Sequence, residues 1–485
     1  MDPRKDIKFF KGPLETIHEV SSIGWGLLLT EPLAGVKARL RKQGKQFLIN
    51  WTNPGRAVDT PPGSDYHDLL FEFKGYKLYL ERIHVGNFFL KFSRAKSSTE
   101  VDFFHTRGFK KTNGYYYRLI VPLEKKMDFL FQLTRRTFAD DFGIFSAHGT
   151  HAIISGDVLQ VCVFQDAKKK YHLAIESKVK QPFEAFSNKA HAVINGLGFL
   201  TGHLAGNAGW YFAYTRKDLK DPVHFYHNPM RDAIHGFYTP VNTNPSAWVH
   251  NREEAKRLYD LKFLKPVSLE VFANLCQQLF DSVTFSAAIL LMLEASVASL
   301  VFMPGGYAIV LESLADYMTP EEKEDLKPMK PALSKRVRKK LTEVINVECA
   351  DISEEKRNIL LGKIVHINQV TNKSRLRAPF DRMELPLNGK DLALIETRND
   401  FLHGRIPDLT EAGEDRPDER KNKDLYYASV RFYTLLCRLI LSWVGYDNYV
   451  LNHAKIQERF TRILLDEDYY LKALPDPTAS ETVDS

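Results

Sequence analysis

The strongest constraint on the fold of this chain is a change in hydrophobic periodicity near residue 266. Over residues 47–213, short runs of apolar residues alternate with polar ones, which is typical of half-buried β-strands. Turn signals such as Asn113-Gly114 and Gly156-Asp157 separate these runs and favour hairpins. After Pro266 the apolar residues recur at helical spacing. The sequence therefore predicts an α+β protein, with a β-rich N-terminal half followed by a C-terminal all-α bundle.

The length of the chain and its loop signals predict how these regions are divided. At 485 residues the chain is too long for one ordinary core. The segment Asn242–Pro266 carries Asn244-Pro245 and Lys265-Pro266, which favour a connection between domains. We predict a β-rich region over 1–265, a helical domain over 266–470 and a disordered tail over 471–485. The predicted helices are 125–136, 181–195, 252–261, 269–303, 334–347, 353–372, 387–402, 425–444 and 455–465.

Composition narrows the functional classes. The net charge of +7 permits a polyanionic partner without requiring one. The four cysteines lie far apart, so neither a disulfide framework nor a cysteine zinc site is expected. The amino terminus does not have the pattern of a signal peptide, and we predict a cytoplasmic protein. No motif predicts a cofactor, and nothing links the histidine pairs His148/His151 and His224/His227 into a metal site.

One apolar stretch, Val283–Met303, is almost long enough to span a bilayer. Glu294 lies near its centre, where an unpaired carboxylate would be costly in lipid. The preceding residues Leu269–Phe280 continue the same helical pattern with two glutamines. A long buried helix over 269–303 is therefore the preferred interpretation and a membrane span the weaker alternative. We predict no membrane partner.

Arg398, Asn399 and His403 form the most informative local pattern in the chain. They lie at the end of the predicted helix 387–402, where Gly404 favours a left-handed cap. Asn399 and His403 are four residues apart and share one helix face, whereas Arg398 and His403 differ by roughly 140°. The last turn of the helix is where the backbone can deviate and bring them closer. The alternative is structural: Arg398 pairs with a neighbouring carboxylate and His403 caps the helix.

These three residue types can cleave RNA without a metal. A histidine can exchange protons with a ribose hydroxyl or with the leaving oxygen, and the carboxyl end of a helix favours its charged form. An arginine can bind phosphate through two parallel hydrogen bonds, and an asparagine can orient the phosphate or the histidine. Since deoxyribose lacks the attacking 2′-hydroxyl, RNA is the expected substrate.

The segment 394–404 resembles the HEPN superfamily, in particular the Arg-Asn-x-x-x-His form of its ApeA-like branch. This resemblance covers about residues 269–465 and implies a HEPN-like helical bundle. It further implies a metal-independent endoribonuclease, active as a homodimer in which two motifs form a composite site. It also implies a toxin, abortive-infection or anti-phage role, with Arg398, Asn399 and His403 as catalytic residues. Many members of the superfamily are non-catalytic, so a dimerisation module or a nucleotide- or RNA-binding module is the alternative.

Other charged residues are candidates for supporting roles. Glu294 either fixes Arg398 or pairs elsewhere in the core, because a buried carboxylate needs a partner. Two basic groups could bind the RNA backbone by releasing counterions, although solvated helix faces often carry such runs. The candidates are Lys335, Arg336, Arg338, Lys373, Arg375, Arg377 and Arg382. The β-rich region would then sense an unknown trigger or restrain the nuclease.

Overall fold

A computed structural model describes residues 3–30, 33–52, 66–84, 96–140, 143–249, 251–260, 264–320, 326–407 and 417–473. The chain forms two compact units. The first comprises residues 1–247 and 256–286, and the second comprises residues 248–255 and 287–485. The β-rich N-terminal half and the helical C-terminal region predicted from the sequence are both present.

Within the described ranges, one antiparallel sheet dominates the first unit. Its fourteen strands lie in the order β6-β3-β2-β1-β4-β5-β7-β15-β14-β8-β12-β11-β10-β9. A separate small pair consists of β13 and β16. The strands are β1 (Gly24–Leu28), β2 (Lys37–Gln43), β3 (Gln46–Thr52), β4 (Tyr66–Phe73), β5 (Tyr76–His84), β6 (Lys96–Val101), β7 (Phe103–Thr106), β8 (Tyr115–Leu123), β9 (Arg136–Asp140), β10 (Gly143–Ile154), β11 (Asp157–Gln165), β12 (Tyr171–Gln181), β13 (His203–Leu204), β14 (Ala208–Tyr214), β15 (His224–Pro229) and β16 (Ile234–His235).

The early and late strands of this sheet share one apolar core. Alternate residues of β3 are buried, as a strand with one face against a core requires. Phe47 on β3 contacts Trp210 on β14, with ring centroids 6.0 Å apart, and Phe104 on β7 at 5.0 Å. Such edge-to-face aromatic pairs add to the free energy of burying the rings. The sheet therefore curves so that β3 covers the strands around β14.

Of the two hairpins predicted from turn residues, one is present and the other is not. β10 and β11 form the expected hairpin, and Gly156 has φ of +77°, which explains why glycine is suited to this turn. The hairpin predicted at Asn113-Gly114 is wrong, because β8 pairs with β12 and β14 instead of with the preceding strand. The helix predicted over 125–136 is also wrong. There the chain is irregular, since Leu133 forms a β-bridge with Val267 and Asp128 accepts the Leu130 N–H.

Of the described α-helices, three lie wholly within the first unit: α1 (Pro3–Ser21), α2 (Phe183–Thr201) and α4 (Leu269–Asp281). The helix predicted at 181–195 is confirmed by α2, and α1 was not predicted. α2 and α4 pack closely, because a Cβ atom on Gly196 would lie 3.1 Å from Cys276 Sγ. α4 thus belongs to the first unit, whereas the sequence boundary at 265/266 assigned it to the helical domain. α3 (Arg252–Asp260) confirms the short helix predicted at the connection.

The single long helix predicted over 269–303 is wrong. Ser282 adopts an extended conformation, with φ of −125°, and ends α4. Its hydroxyl accepts the Phe285 N–H at 3.1 Å and so caps the start of α5 (Val283–Val297). Among the described helices, no single one meets the length and hydropathy needed to cross a membrane; α4 and α5 do so only as a bent pair.

The second unit is built mainly from helices. The helix predicted over 353–372 is too long, because the observed helix spans Glu354–Val365. The next helix begins at Asn372, where the Thr371 side chain accepts the Ser374 N–H. In place of the helix predicted over 455–465 there are two short helices, the second of which ends at Thr461. Of the predicted tail, residues 471–473 are ordered around β18 and the rest lies outside the described residues. The elements are α6 (Met303–Met318), α7 (Pro331–Glu348), α8 (Glu354–Val365), α9 (Asn372–Arg382), α10 (Gly389–Leu402), α11 (Pro417–Trp443), β17 (Tyr449–Leu451), α12 (His453–Ile456), α13 (Glu458–Thr461) and β18 (Tyr470–Lys472).

Small residues set the packing around α6. A Cβ atom on Gly306 would lie 2.9 Å from Ala295 Cβ on α5, so only glycine fits there without a shift. A Cβ atom on the adjacent Gly305 would lie 3.5 Å from the Phe401 carbonyl oxygen on α10. α6 therefore approaches the backbone of α10 closely, at the end where the Arg-Asn-x-x-x-His motif lies.

Candidate functional site

The left-handed cap predicted at Gly404 is present at the carboxyl end of α10. Gly404 has φ of +70°, in the left-handed region. The Arg405 N–H donates to the Asp400 carbonyl at 2.7 Å, and the Gly404 N–H donates to the Phe401 carbonyl at 3.2 Å. These two bonds form a Schellman motif, which ends the helix with its last carbonyls satisfied. His403 is the C-cap residue of this helix.

The three motif residues lie in two environments. The side chains of Asn399 and His403 are exposed, whereas Arg398 is only 3% exposed. Arg398 Nη1 donates to Asn399 Oδ1 at 2.9 Å, and the His403 N–H donates to the Asn399 carbonyl at 3.0 Å. Asn399 is therefore the residue that links the buried guanidinium to the exposed end of the helix.

Glu312 on α6 is the carboxylate that holds Arg398. Its Oε1 lies 2.8 Å from Arg398 Nη2. The same oxygen lies 3.9 Å from Arg375 Nη2, and Arg375 Nη1 also lies 3.4 Å from Asp316. Two carboxylates on one face of α6 thus meet two arginines from α9 and α10. The charge of Arg398 is largely compensated, while its buried Nε has no hydrogen-bond partner among the described residues.

The sequence predicts Glu294 as a possible support for Arg398, but the structure places a different carboxylate beside this arginine. Glu312 pairs with the arginine, whereas Glu294 is exposed on α5 and lines a groove. The local alternatives for Arg398, Glu396 and Asp400, pair with Lys373 and Arg405 instead. Glu312 had no sequence signal of its own, because the contact between α6 and α10 joins residues far apart in the chain.

An apolar groove adjoins the end of the motif helix. Its volume is about 730 Å³, and α5, α6 and the end of α10 line it. Phe401, Leu402 and Gly404 contribute from the motif segment. In the same lining, Val301 is 60% exposed and Phe302 is 73% exposed. Clustered exposed apolar side chains of this kind mark interaction surfaces or ligand grooves.

Most of the predicted RNA-binding residues are engaged within the chain. Lys373 pairs with Glu396, and Arg377 pairs with Asp381 at 3.0 Å. Arg382 donates to the Met318 carbonyl at 2.6 Å and lies over the Trp443 ring. Lys373, Arg375 and Arg382 therefore contribute to packing between helices, whereas Arg377 pairs within α9.

The basic residues of α7 are in a different position. Lys335 and Arg336 are exposed and form no ion pair within the described part of the chain, whereas Arg338 is half-buried. Lys335 and Arg336 therefore stay predictions as contacts to an RNA backbone.

Arg405 is a candidate that the sequence analysis missed. It is 75% exposed and lies two residues after His403, with only a 3.7 Å contact to Asp400. The hydrogen bond from the Arg405 N–H to the Asp400 carbonyl keeps this residue at the same helix end as His403 and Asn399. A basic residue next to the cap glycine was the available signal.

The residues that the structure describes contain no group of three or more histidines, cysteines or acidic side chains arranged to hold a metal ion. His224 Nδ1 lies 3.1 Å from the Thr106 hydroxyl. His227 is 1% exposed, and burial, reinforced by Lys42, lowers its pKa to about 3. Both of these histidines therefore contact the sheet core.

Comparisons with protein-family models, curated proteins and solved structures give no match. The resemblance to the HEPN superfamily therefore rests on the segment 394–404. The geometry at the end of α10 is the independent source for a functional proposal.

Proposed function

We propose that this protein is a metal-independent endoribonuclease that acts as a homodimer in the cytoplasm. One observation carries the proposal: the His403 imidazole and the Asn399 amide are exposed together at one helix end, and Arg398 hydrogen-bonds that amide from below. An exposed imidazole and amide can both reach a phosphodiester. The buried guanidinium would hold the amide in place.

The reaction needs a base and an acid. The RNA 2′-oxygen attacks phosphorus while a base removes its proton, and the 5′-oxygen leaves with a proton from an acid. The products are a 2′,3′-cyclic phosphate and a 5′-hydroxyl. One His403 can supply one of these roles, so two copies of the motif facing each other would supply both. In each copy Asn399 orients the phosphate, and the exposed Arg405 offsets negative charge on its oxygens.

The apolar groove beside the motif supports a dimer. If a second copy covered this face, it would remove the apolar surface of Val301, Phe302 and Leu402 from contact with water. Because the groove includes the last residues of α10, a partner seated there would lie next to His403. A composite site needs such proximity.

The biological setting comes from the resemblance alone. A toxin or abortive-infection effector that cuts RNA must be restrained until a trigger appears, and the first unit is the candidate sensor. Expression of the wild-type chain should arrest bacterial growth once triggered, and His403→Ala should not. Growth arrest by both would remove this role for the motif.

Incubation with RNA tests the chemistry directly. Purified wild-type protein and His403→Ala are mixed with total RNA in EDTA, and the new 3′ ends are analysed. We expect cyclic-phosphate ends with the wild type and at least about 100-fold slower cleavage with His403→Ala. His366→Ala is the matched control, because His366 is also an exposed C-cap histidine. Equal cleavage by wild type and His403→Ala would refute the assignment.

The 3% exposure of Arg398 favours one alternative, a non-catalytic HEPN-like module that dimerises or binds a nucleotide or RNA. A guanidinium tied to Glu312 and Asn399 is typical of structural arginines. This alternative predicts that no RNA is cut under any condition. It also predicts that Arg398→Lys and His403→Ala change only dimer or RNA affinity, which sedimentation and a filter-binding assay would measure.

A further inference from the structure

A second cavity lies in the first unit, far in sequence from the motif. Its volume is about 510 Å³, within the range of about 300–1,000 Å³ typical of small-molecule sites. Four separate chain segments converge on it: the β2–β3 turn, the end of β8 with the following loop, the β11–β12 turn and the start of β14. The curvature of the sheet brings these strand ends together.

Lysines dominate the lining of this cavity. They come from three of the four segments, so no single helix or strand face accounts for them. Two are neutralised locally, since Lys45 pairs with Asp232 at 2.7 Å and Lys126 pairs with Asp128 at 3.1 Å. The lining lysines are Lys42, Lys45, Lys125, Lys126, Lys169 and Lys170.

The other four lysines have no carboxylate within ion-pair distance in the described part of the chain. Glu124 is the acidic residue in the lining, and it already accepts a hydrogen bond from Asn207 at 2.9 Å and contacts His235 at 3.3 Å. Lys42 is only partly exposed, and burial, followed by repulsion from Lys170, lowers its pKa. Lys42 and Lys170 line the same cavity without a carboxylate partner among the described residues, so an anionic ligand could compensate their charges.

The turn that carries Lys169 and Lys170 is rigidly built. Asp166 is buried, and its Oδ1 accepts the backbone N–H groups of Lys168 and Lys170 at 2.8 and 2.9 Å. Lys169 has φ of +60°, a conformation that this network maintains. The two ammonium groups therefore start from a fixed backbone, which reduces the entropy lost on binding.

We propose that this cavity binds an organic polyphosphate of the nucleotide class, with Lys42, Lys125, Lys169 and Lys170 around the phosphates and Tyr171 against the base. The ammonium group of lysine is a compact point charge suited to phosphate oxygens. Four such groups, from three segments, match a ligand with several adjacent phosphates better than a ligand with a single carboxylate. Tyr171 is half-buried in the same lining, so one ring face can stack on a base. The site stands independently of the ribonuclease proposal.

Calorimetric titration of the full-length protein tests this site. ATP, inorganic tripolyphosphate and adenosine are compared in the same magnesium-free buffer. We expect ATP and tripolyphosphate to bind and adenosine not to bind. Lys42→Gln combined with Lys170→Gln should weaken ATP binding by about 10-fold or more, as expected for lost charged hydrogen bonds. Tyr171→Ala should weaken ATP by about 5-fold or more and leave tripolyphosphate unchanged.

The matched control removes the same charge elsewhere on the first unit. Lys110→Gln combined with Lys217→Gln changes two exposed lysines outside the cavity. Equal weakening by both double variants would overturn the site in favour of general charge attraction. Absence of ATP and tripolyphosphate binding would also overturn it. An equal effect of Tyr171→Ala on both ligands would exclude the base contact. Binding of single-stranded RNA but not ATP would assign the lysines to nucleic acid.

Discussion

The two ends of α10 use charged residues in opposite ways. At the amino end, Asn388 and Asp391 form a reciprocal capping box. Asp391 lies 2.6 Å from Arg431, which also holds Glu467 at 2.7 Å. Glu467 in turn accepts hydrogen bonds from Asn388 and Asn452, both at 2.8 Å. Every charge in this buried group therefore has an opposite charge or several donors.

The carboxyl end is only partly closed. Arg398 is as buried as Arg431, but its one carboxylate, Glu312, is 29% exposed and lies near a second arginine. Its other partner, Asn399, is exposed together with His403. The groups that compensate Arg398 are therefore partly open to solvent, unlike those that compensate Arg431.

One helix therefore combines a stabilising network at its amino end with exposed polar groups at its carboxyl end. The amino end is fixed by a paired network, and breaking such a network costs stability. The carboxyl end leaves the imidazole of His403, the amide of Asn399 and the guanidinium of Arg405 exposed, while the guanidinium of Arg398 is buried. Substitutions at the amino end should therefore affect folding, and those at the carboxyl end should affect RNA chemistry.

The largest expected effect is on stability at the amino end. Asp391→Asn removes the charge that faces Arg431 and should lower the free energy of unfolding by about 3 kcal/mol. The same change at the other end, Asp400→Asn, should cost less than about 1 kcal/mol, because Asp400 is 37% exposed and lies 3.7 Å from Arg405. Urea unfolding measures both. Equal losses would break the contrast between the two ends.

The next effect concerns activity at the carboxyl end. Arg405→Gln removes the exposed cation beside His403 and should slow RNA cleavage by about 10- to 100-fold, the usual value of a charged hydrogen bond. Its melting temperature should match the wild type. Arg377→Gln, which removes an exposed arginine paired within its own helix, should leave cleavage unchanged. If both variants cleave like the wild type, Arg405 does not contact the phosphate.

A smaller effect is expected when the partner of Arg398 is changed. Glu312→Gln keeps a hydrogen-bond acceptor but removes the charge, and should lower the free energy of unfolding by about 1 kcal/mol, discounted for the exposure of Glu312. If Arg398 acts by positioning Asn399, this variant should lower kcat more than it raises KM. A change in KM alone would instead indicate that Arg398 binds RNA directly.

The smallest effect is a dependence on pH at the amino end. Burial opposes ionisation of Glu467, but hydrogen bonds from Arg431, Asn452 and Asn388 outweigh it and lower its pKa from the ordinary 4.5. The stabilisation by Glu467 is therefore complete above the unfolded-state value and is lost as pH falls through the folded-state pKa. Glu467→Gln should lower stability at pH 7 and differ less from the wild type near pH 3. An unchanged difference would contradict this linkage.

Local sequence signals predicted the elements whose causes are local. The helix predicted over 387–402 is confirmed by α10, which begins at Gly389 after the Asn388 cap and ends at Leu402 before Gly404. The β10–β11 hairpin follows from Gly156 in the same way. The predicted helix 125–136 is wrong because a distant residue, Val267, pairs with Leu133 and overrides local helical spacing.

The features of the candidate site also divide into those with local causes, which the sequence predicts, and those that depend on distant residues. Exposure of His403 at a helix end could be predicted from its position before a cap glycine. The partner of Arg398 could not, because α6 was not predicted and its close approach to α10 depends on the small residue Gly305. The polyphosphate cavity also had no sequence signal, since its lysines come from turns scattered between residues 42 and 170.

By itself, the sequence determined the succession of a β-rich half and a helical half, the ends of α10 and the chemical groups placed there. These depend on hydrogen bonds and side-chain spacing within a few residues. Only the tertiary structure decided that Glu312 neutralises Arg398 and that four lysines without an ion pair among the described residues surround one cavity. The physical reason is that close packing brings together groups that no local periodicity relates.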